Sequence, residues 1–371
     1  MYKSTTSKIA PLSPRDYHAE DSHARELVQV FEAHWQLAGL ASTVSQPGQF
    51  LTTTIGREPV LVRNFDGELV AVRNVCAHRH CTLATAALGQ SERLKCPFHG
   101  WEYGSDGRTR RIPAAKNFPD FDREQHRLTT FETTCCGDLV FVRGQPGGPS
   151  LQEFIGDDAI FEKIAAWTDP KDWRPTPPRQ LAFAANWKIP VEASLESYHI
   201  PEVHPQTFVE DPGEQKSDHA FFPGGSSFFT SFNTPRLRDQ FLKVYERFLM
   251  GVLGVPFTAK YEHHHVFPNL LVSHTDSLTL VQSVDPASPV SSCSRVWHFG
   301  RRSARRNPVS LITANLWGRF TSWLSFQVLK EDIRMYPQIQ LGTQSARDHA
   351  VLGRCEERLA AFQTFIAEAI R

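Results

Sequence analysis

The sequence predicts an α+β fold in two domains: a small antiparallel β domain, and a larger domain in which helices cover an antiparallel sheet. Between residues 43 and 150, short strand-like segments are separated by turn signals such as Asp66-Gly67 and Asp106-Gly107. After residue 150, strands and helical segments mix without the strict alternation that βαβ units show. A chain of 371 residues is long enough for two domains.

We predict three segments along the chain. Residues 1–42 form an N-terminal arm and an amphipathic helix, 26–40, that packs on the larger domain. Residues 43–150 form the small domain, and residues 151–371 form the larger one. The run Gln145-Pro146-Gly147-Gly148-Pro149 is typical of a linker and marks the boundary between these two domains.

Each domain has its own predicted elements. Strands of the small domain are expected at 52–55, 60–63, 69–73 and 138–142. In the larger domain a strand runs into a helix over 181–189, and residues 205–240 are loop-like and rich in phenylalanine. Further strands are expected at 266–273, 277–284 and 294–300, with helices at 242–253, 309–329 and 344–370.

Composition excludes several classes of protein. Lys and Arg together number 40, as do Asp and Glu, so no excess charge favours binding to nucleic acid or to an anionic membrane. The seven cysteines are few and scattered, which is typical of a reducing cytoplasm. The polar N-terminus lacks the apolar core of a signal peptide, and no run approaches the length of a membrane span. We therefore expect a cytoplasmic protein.

Two short segments each place a cysteine close to a histidine: Cys76-Ala77-His78 and Cys96-Pro97-Phe98-His99. Two thiolates and two imidazoles are the ligands of a Rieske-type [2Fe–2S] cluster, in which two His replace two Cys on one iron. Gly100 permits a sharp turn after the second segment, and Trp101 offers an apolar cover. The histidine ligands raise the cluster potential, so the segments predict one-electron transfer at a moderate potential.

A structural zinc site is the alternative for this ligand set, since two Cys and two His also suit tetrahedral zinc. Zinc fingers usually pair Cys with Cys and His with His. Here each segment contains one of each, which favours the iron–sulfur cluster.

A second set of candidate ligands lies in the larger domain. His199 and His204 are five residues apart, and on an unbroken helix their side chains would point about 140° apart. Pro201 can break the helix between them, so that both could bind one metal. Glu196 precedes His199 by three residues and shares a helical face with it. In most proteins, a pair of histidines at this spacing has an ordinary place on the surface or in the core. In a chain that also contains a candidate iron–sulfur ligand set, a metal site is the better interpretation.

These segments resemble the Rieske-type non-haem iron oxygenases, and among them the ring-hydroxylating and choline-monooxygenase-like alpha subunits. The resemblance covers roughly residues 30–345. It extends to flanking residues, namely Pro47-Gly48-Gln49-Phe50, Arg63, Asp66-Gly67, Asp106-Gly107-Arg108 and Asn186-Trp187-Lys188.

The resemblance implies a role for each candidate. Four residues hold the cluster: Cys76, His78, Cys96 and His99. Three hold Fe(II): His199, His204 and Asp332, with Glu331 as the alternative to Asp332. Glu196 takes the place of a bridging acid, usually Asp, that connects His199 to His78 or His99 of a neighbouring subunit.

The resemblance also implies an activity. The chain would be the terminal oxygenase component of a homotrimer or a multiple of it, activating O₂ at Fe(II) to hydroxylate or demethylate a small aromatic or quaternary-ammonium substrate. No Gly-x-Gly-x-x-Gly run follows a strand, so electrons from NAD(P)H would come through a separate reductase, with or without a ferredoxin. Phenylalanines within 205–270 are expected to line the pocket. The alternative is a Rieske-type electron-transfer protein, for which residues 43–148 would be sufficient.

Three places depart from the family or invite a second interpretation. His80-Cys81 stands where the family commonly has Gly and no Cys, and Ala193 replaces the usual Asn or Asp. His263, His264 and His265 could suggest a metal cluster, but adjacent residues of a strand alternate faces. We therefore expect structural or pocket-lining roles for these three histidines.

Overall fold

The computed structural model describes residues 1–204, 212–231 and 237–371, with only the backbone for 237–242. It divides into two compact units, Leu27–Leu151 and the remainder, which consists of Met1–Glu26 and Gln152–Arg371. The smaller unit is therefore inserted into the larger one. Its first boundary lies at residue 26, earlier in the chain than the predicted boundary at 42.

The smaller unit is built on a seven-stranded antiparallel sheet. In spatial order its strands are Gln36–Leu40, Leu139–Arg143, Thr130–Cys136, Glu68–Arg73, Glu58–Phe65, Gln49–Ile55 and Leu88–Gln90. A second sheet has three short strands, Leu94–Lys95, Glu102–Tyr103 and Thr109–Arg111. Single helical turns occur at Leu27–Glu32, Ala41–Val44 and Ala115–Asn117.

Both faces of the larger of these sheets are covered. Along strand Glu58–Phe65, Val60 and Val62 pack into one hydrophobic core, whereas Leu61 packs into another. Alternate residues of a strand point to opposite faces, so this strand separates the two cores. The second core contains Cys76 and Cys96, and it therefore anchors the cluster segments against the sheet.

The predicted helix over 26–40 is wrong in its second half. A helix at Glu20–Glu26 leads into a π-helical turn at Leu27–Glu32, and the chain then becomes a strand, Gln36–Leu40. All five strand residues are buried, and they pair with Leu139–Arg143. A short apolar run that is buried on both sides cannot be assigned by periodicity alone, which explains the error.

The larger unit contains an eight-stranded antiparallel sheet. Seven strands lie in the spatial order Trp173–Pro175, Ser291–Arg301, Leu278–Ser288, Leu270–His274, Lys260–Val266, Gly225–Ser231 and Ser217–Phe222. The eighth, Arg179–Phe183, also pairs with Ser291–Arg301. A two-stranded sheet joins Lys8–Ile9 to Val351–Leu352.

Helices complete this unit. The longer ones are Asp158–Thr168, Leu237–Leu253, Pro308–Ile333, Tyr336–Ser345 and Glu357–Ala369. The shorter ones are Glu20–Glu26, Leu151–Ile155, Lys188–Ala193, Ile200–Val203 and Gly213–Lys216, with 3₁₀ turns at Pro14–Tyr17 and Arg354–Glu356. In the described part of the chain, no helix combines the length and apolar character needed to cross a membrane.

Several predicted boundaries in this unit were wrong. The loop-like stretch 205–240 contains strands Ser217–Phe222 and Gly225–Ser231, while Phe208 and Phe232 lie outside the described residues. The single strand expected at 266–273 is two strands separated by a turn that contains the cis Phe267-Pro268 bond. The last helix begins at residue 357 instead of 344, because residues 351–352 pair with the N-terminal strand.

A buried ion pair holds the start of the segment that carries the candidate iron ligands. Lys188 Nζ lies 2.6 Å from Glu26 Oε1, and neither side chain is exposed. Trp187 donates its indole N–H to the other oxygen of Glu26 across 2.7 Å. Helix Lys188–Ala193 is thereby fixed to helix Glu20–Glu26.

Candidate metal centres

The two cluster segments form loops with the same backbone hydrogen bonds. Cys76 N donates to Cys81 O and Cys96 N to Trp101 O, each across 2.8 Å. Four residues after each cysteine, an N–H returns to the cysteine carbonyl, from His80 and from Gly100, each across 3.0 Å. Both returning residues have left-handed backbones, with φ of 57° and 72°. Such a φ is costly for most residues other than glycine, so the loop geometry explains the glycine that the family has in place of His80.

The side chains of these loops converge as a cluster requires. Cys76 and Cys96 are each 1% exposed, and the rings of His78 and His99 are 4.7 Å apart between centroids. Nδ1 of His78 is buried and has no hydrogen-bond partner, which is the state expected of a nitrogen that binds iron. Trp101 stacks on His78 at 4.7 Å and an interplanar angle of 4°. The donor set and the unpartnered nitrogen fit a [2Fe–2S] cluster.

Tyr103 contacts one of the candidate cluster sulfurs. Its hydroxyl lies 3.0 Å from Cys76 Sγ and accepts the N–H of Ala77, also across 3.0 Å. Because that oxygen already accepts from Ala77, its own hydrogen is free to point at the sulfur. Burial raises the pKa of the Cys76 thiol.

The two histidines of the larger unit flank one short helix. His199 precedes Ile200–Val203 and His204 follows it, with Val203 N donating to His199 O across 3.0 Å. Pro201 lies in the first turn of this helix, where its missing N–H is not required. The expected helix break at Pro201 was wrong, because the separation of the two side chains comes from the helix ends.

His199, His204 and Asp332 converge on one point. Each offers one ligand atom, and these three atoms lie within 4.8 Å of one another. Asp332 Oδ1 is 3.4 Å from His199 Nε2 and 2.9 Å from His204 Nε2. Asp332 lies in the last turn of helix Pro308–Ile333. Two imidazoles and one carboxylate on one side of a metal are the ligand set of non-haem Fe(II) oxygenases, and the three residues fit that group.

Two further carboxylates hold the outer nitrogens of these histidines. Glu196 Oε1 contacts His199 Nδ1, and its other oxygen accepts the backbone N–H of His199 across 3.1 Å. Glu331 Oε2 lies 2.7 Å from His204 Nδ1. Glu331 is therefore on the side of His204 away from Asp332 and outside the converging set, so its assignment as the alternative ligand finds no support.

The carboxylates favour positive charge at this site. Burial lowers the pKa of His199, but Asp332 and Glu196 together outweigh it and raise that pKa to about 10. Burial lowers the pKa of His204 as well, but Asp332 and Glu331 outweigh it, so that the pKa is raised. A divalent cation would supply the positive charge while both imidazoles stay neutral.

The three consecutive histidines contact different partners. His263 Nδ1 lies 2.8 Å from Arg358, His264 Nδ1 lies 2.6 Å from Ser227, and His265 Nε2 lies 3.0 Å from the carbonyl of Pro268. All three are buried in strand Lys260–Val266. These contacts are those of a packed sheet, as expected from the alternation of faces.

Sequence reasoning missed Tyr103 and the contact of Glu331 with His204. Tyr103 follows Trp101 by two residues in a short strand, but spacing alone does not reveal a contact with a cysteine 27 residues earlier. Glu331 was weighed as a metal ligand because it adjoins Asp332. The direction of each side chain from the helix decides between the two roles, and that requires the structure.

Comparison with known proteins identifies the family. Residues 170–371 match the model of the ring hydroxylating alpha subunit, catalytic domain. The chain belongs to the ring-hydroxylating alpha subunit family. Residues 34–132 of this alpha subunit match the Rieske [2Fe–2S] domain, so its cofactors are a [2Fe–2S] cluster and a mononuclear non-haem iron. A Rieske electron-transfer protein alone has no need of the catalytic domain.

Curated relatives of this alpha subunit include both monooxygenases and dioxygenases. The glycine betaine monooxygenase oxygenase subunit of Pseudomonas aeruginosa (strain UCBPP-PA14) is 30% identical, over 53% of this chain and 46% of its own length. The anthranilate 1,2-dioxygenase large subunit of Acinetobacter baylyi is 34% identical, over 48% of this chain and 39% of its own length. The matched part thus spans less than half of either relative.

Solved structures share the fold of this alpha subunit. The quaternary ammonium Rieske monooxygenase CntA, in complex with L-carnitine, aligns with a TM-score of 0.76 and 16% identity, over 98% of this chain and 96% of that one. Naphthalene 1,2-dioxygenase with bound indole aligns with a TM-score of 0.74 and 18% identity, over 98% and 92%. The predicted α+β fold with a Rieske domain and a helix-covered antiparallel sheet is confirmed.

Proposed function

We propose that this chain is a terminal oxygenase component that uses electrons from its Rieske cluster to activate O₂ at mononuclear Fe(II). The observation that carries the proposal is the presence in one chain of two ligand sets. One has two Cys and two His on paired loops, and the other has two His and one Asp within 4.8 Å. Electron transfer alone would require only the first set.

The residues of each set have distinct roles in this proposal. The cluster is held by Cys76, His78, Cys96 and His99, and the iron is held by His199, His204 and Asp332. When bound, the cluster supplies electrons singly, and the iron supplies the reductive activation of O₂ whose oxygen enters the substrate. Glu196 holds His199 through Nδ1, so that Nε2 is directed toward Asp332.

We further propose that the chain works as a homotrimer or a multiple of it. In this arrangement Glu196 connects His199 to a cluster histidine of the neighbouring subunit. A solved structure of CntA is described as giving insight into inter-subunit electron transfer in that protein, and its fold is shared here. Glu196 is suited to the connection because its side chain already contacts the candidate iron ligand His199.

The substrate proposed is a small aromatic or quaternary-ammonium compound, which is hydroxylated or oxidatively demethylated. The names of the curated relatives support both classes, since they include glycine betaine and anthranilate enzymes. Electrons would come from NAD(P)H through a separate reductase, with or without a ferredoxin. The balanced charge and scattered cysteines of the sequence suit a cytoplasmic enzyme with no nucleic-acid or membrane partner.

A product screen tests the proposal. Purified chain with its cluster and Fe(II) would be combined with a surrogate reductase, NADH and panels of aromatic acids and methylammonium compounds, followed by mass spectrometry. We expect compounds of one class to be oxidised. Hydroxylation would give a product that contains oxygen from ¹⁸O₂, and demethylation would give the demethylated substrate together with formaldehyde. Cluster reduction without product or substrate-dependent O₂ uptake in either panel would favour the electron-transfer alternative instead.

A further inference from the structure

Glu331 contacts the candidate metal site without joining the converging ligands. It precedes Asp332 in the last turn of helix Pro308–Ile333. Its Oε2 atom lies 2.7 Å from Nδ1 of His204, while Asp332 Oδ1 lies 2.9 Å from Nε2 of the same ring. Two consecutive carboxylates of one helix therefore hold both nitrogens of a single imidazole.

The chemistry of the ring determines what this contact does. A neutral imidazole has one nitrogen that donates and one that accepts, whereas an ionised carboxylate only accepts. If Nε2 binds a divalent cation with its lone pair, the one hydrogen of the neutral ring is on Nδ1, and Glu331 is placed to accept it. His204 is 2% exposed, so without this acceptor its N–H would lie in a region with little water.

The position of Glu331 is unfavourable by itself. Negative charge in the last turn of a helix opposes the helix dipole and is therefore destabilising there. A residue with no other role would be more favourable here as Lys or Arg, whose positive charge suits the C-terminal end of a helix. The neighbouring Lys330 has such a charge. The contact with His204 offsets this cost.

We propose that Glu331 is a positioning residue, which fixes the tautomer and orientation of His204 and thereby sets the metal affinity of the site. The inference rests on the proposed iron site, and it gives the first acid of the Glu331-Asp332 pair a role separate from that of the second. It also separates Glu331 from Glu196, which holds the other histidine from a different segment.

Binding of Co(II) tests this proposal, because cobalt is distinguishable by elemental analysis from the iron of the cluster. The chain would keep its cluster while the mononuclear site is emptied with a mild chelator, and Co(II) would be added by equilibrium dialysis. The variants are Glu331→Ala and Glu331→Gln. The matched control is Glu202→Gln, which changes an exposed acid on the short helix between the two histidines.

We expect Glu331→Ala to raise the Kd for Co(II) by about 10–100-fold. Glu331→Gln should have a smaller effect because its amide oxygen still accepts from Nδ1, and the control should match the wild type. Paramagnetic proton NMR supplies a second readout. The wild type should show two exchangeable, shifted N–H signals, and the one from His204 should broaden in Glu331→Ala as its hydrogen exchanges with water.

Other outcomes would overturn the inference. A Kd within twofold of wild type in Glu331→Ala, with both N–H signals sharp, would leave Glu331 only a structural role, even if the variant melts earlier. If that variant does not fold, Glu331→Gln decides by the same readouts, with weaker Co(II) binding and both signals retained as the expected result. A wild-type chain that binds no Co(II) would overturn the proposed iron site, and this inference with it.

Discussion

The phenolic oxygen of Tyr17 lies 2.5 Å from Oε1 of Glu192. Glu192 precedes Glu196, the acid that contacts the candidate iron ligand His199, by four residues. Gln363 donates to the same oxygen of Glu192 across 3.0 Å. Burial nevertheless raises the pKa of Glu192 to about 7 from an ordinary value of 4.5, with these hydrogen bonds opposing the rise. Glu192 is therefore a carboxyl group whose protonation changes near neutral pH.

The first prediction concerns this group and pH. Between about pH 4.5 and 7, the folded chain retains a proton on Glu192 that the unfolded chain releases, so stability falls as the pH rises through this window. Glu192→Gln removes the effect and should stabilise the protein at pH 8 by at most about 3 kcal/mol, with little change at pH 5. Thermal unfolding at both pH values measures this. Equal changes at the two pH values would contradict it, and Glu368→Gln, an exposed acid on the same helix as Gln363, is the control.

The buried pair of Lys188 and Glu26 gives a second prediction. Lys188→Met leaves the Glu26 carboxylate without its cation in a place with no solvent, which should cost about 3–5 kcal/mol. Adding Glu26→Gln should recover part of that loss, since no buried charge then remains unpaired. Urea unfolding followed by tryptophan fluorescence measures both. Arg15→Met, which breaks an exposed pair with Asp21, should have a much smaller effect, because solvent screens these two charges.

Tyr103→Phe should lower the reduction potential of the cluster. A cysteine that binds the cluster is a thiolate with no hydrogen, so Tyr103 would be the donor to Cys76 Sγ. A hydrogen bond to a ligand sulfur stabilises the more negative, reduced cluster. At about 1 kcal/mol for one hydrogen bond, the decrease is roughly 40 mV for one electron. A redox titration monitored by EPR measures it. Tyr198→Phe, at an exposed position, should leave the potential unchanged, and an unchanged potential in Tyr103→Phe would contradict the assigned contact.

His199→Ala separates the two metal sites. The visible and EPR spectra of the cluster should persist, because the cluster segments belong to the other compact unit. Substrate-dependent O₂ uptake should vanish, because the remaining His204 and Asp332 are an incomplete ligand set. Undiminished turnover by this variant would refute the assignment of His199 as a ligand.

Glu196→Gln tests the connection between subunits. The cluster and the iron should both be retained, since the amide oxygen can still accept from Nδ1 of His199. Electron arrival at the iron should become slow when the reduced protein is mixed with substrate and O₂ in a single turnover. Normal single-turnover kinetics in this variant would count against the bridging role.

Short-range patterns predicted much of the site. The cluster ligands lie within loops of a few residues, so their spacing reflects their geometry directly, and Gly100 indicated a sharp turn that has a φ of 72°. His199 and His204 were identified together for the same reason. Asp332 lies on another helix, and only the resemblance to a known family connected it with the two histidines.

The remaining errors have physical causes. Residues 36–40 form an edge strand in which all five residues are buried, so the segment shows neither a helical nor a strand period. The contact between Glu331 and His204 joins residues 127 positions apart. The orientation of the last helical turn decides which of the two acids faces the candidate metal site. Short-range patterns contain no information about such tertiary choices.

The inserted smaller unit has its own ends held together. Trp35 donates to the carbonyl of Pro149 across 3.0 Å, and Gln145 N donates to Glu32 O across 2.8 Å. The first and last segments of the smaller unit are thus adjacent, as in domains that tolerate insertion and deletion. We therefore expect that the smaller unit can be deleted and replaced by a short glycine-serine linker. A different electron-transfer domain could be inserted at the same position of the sequence.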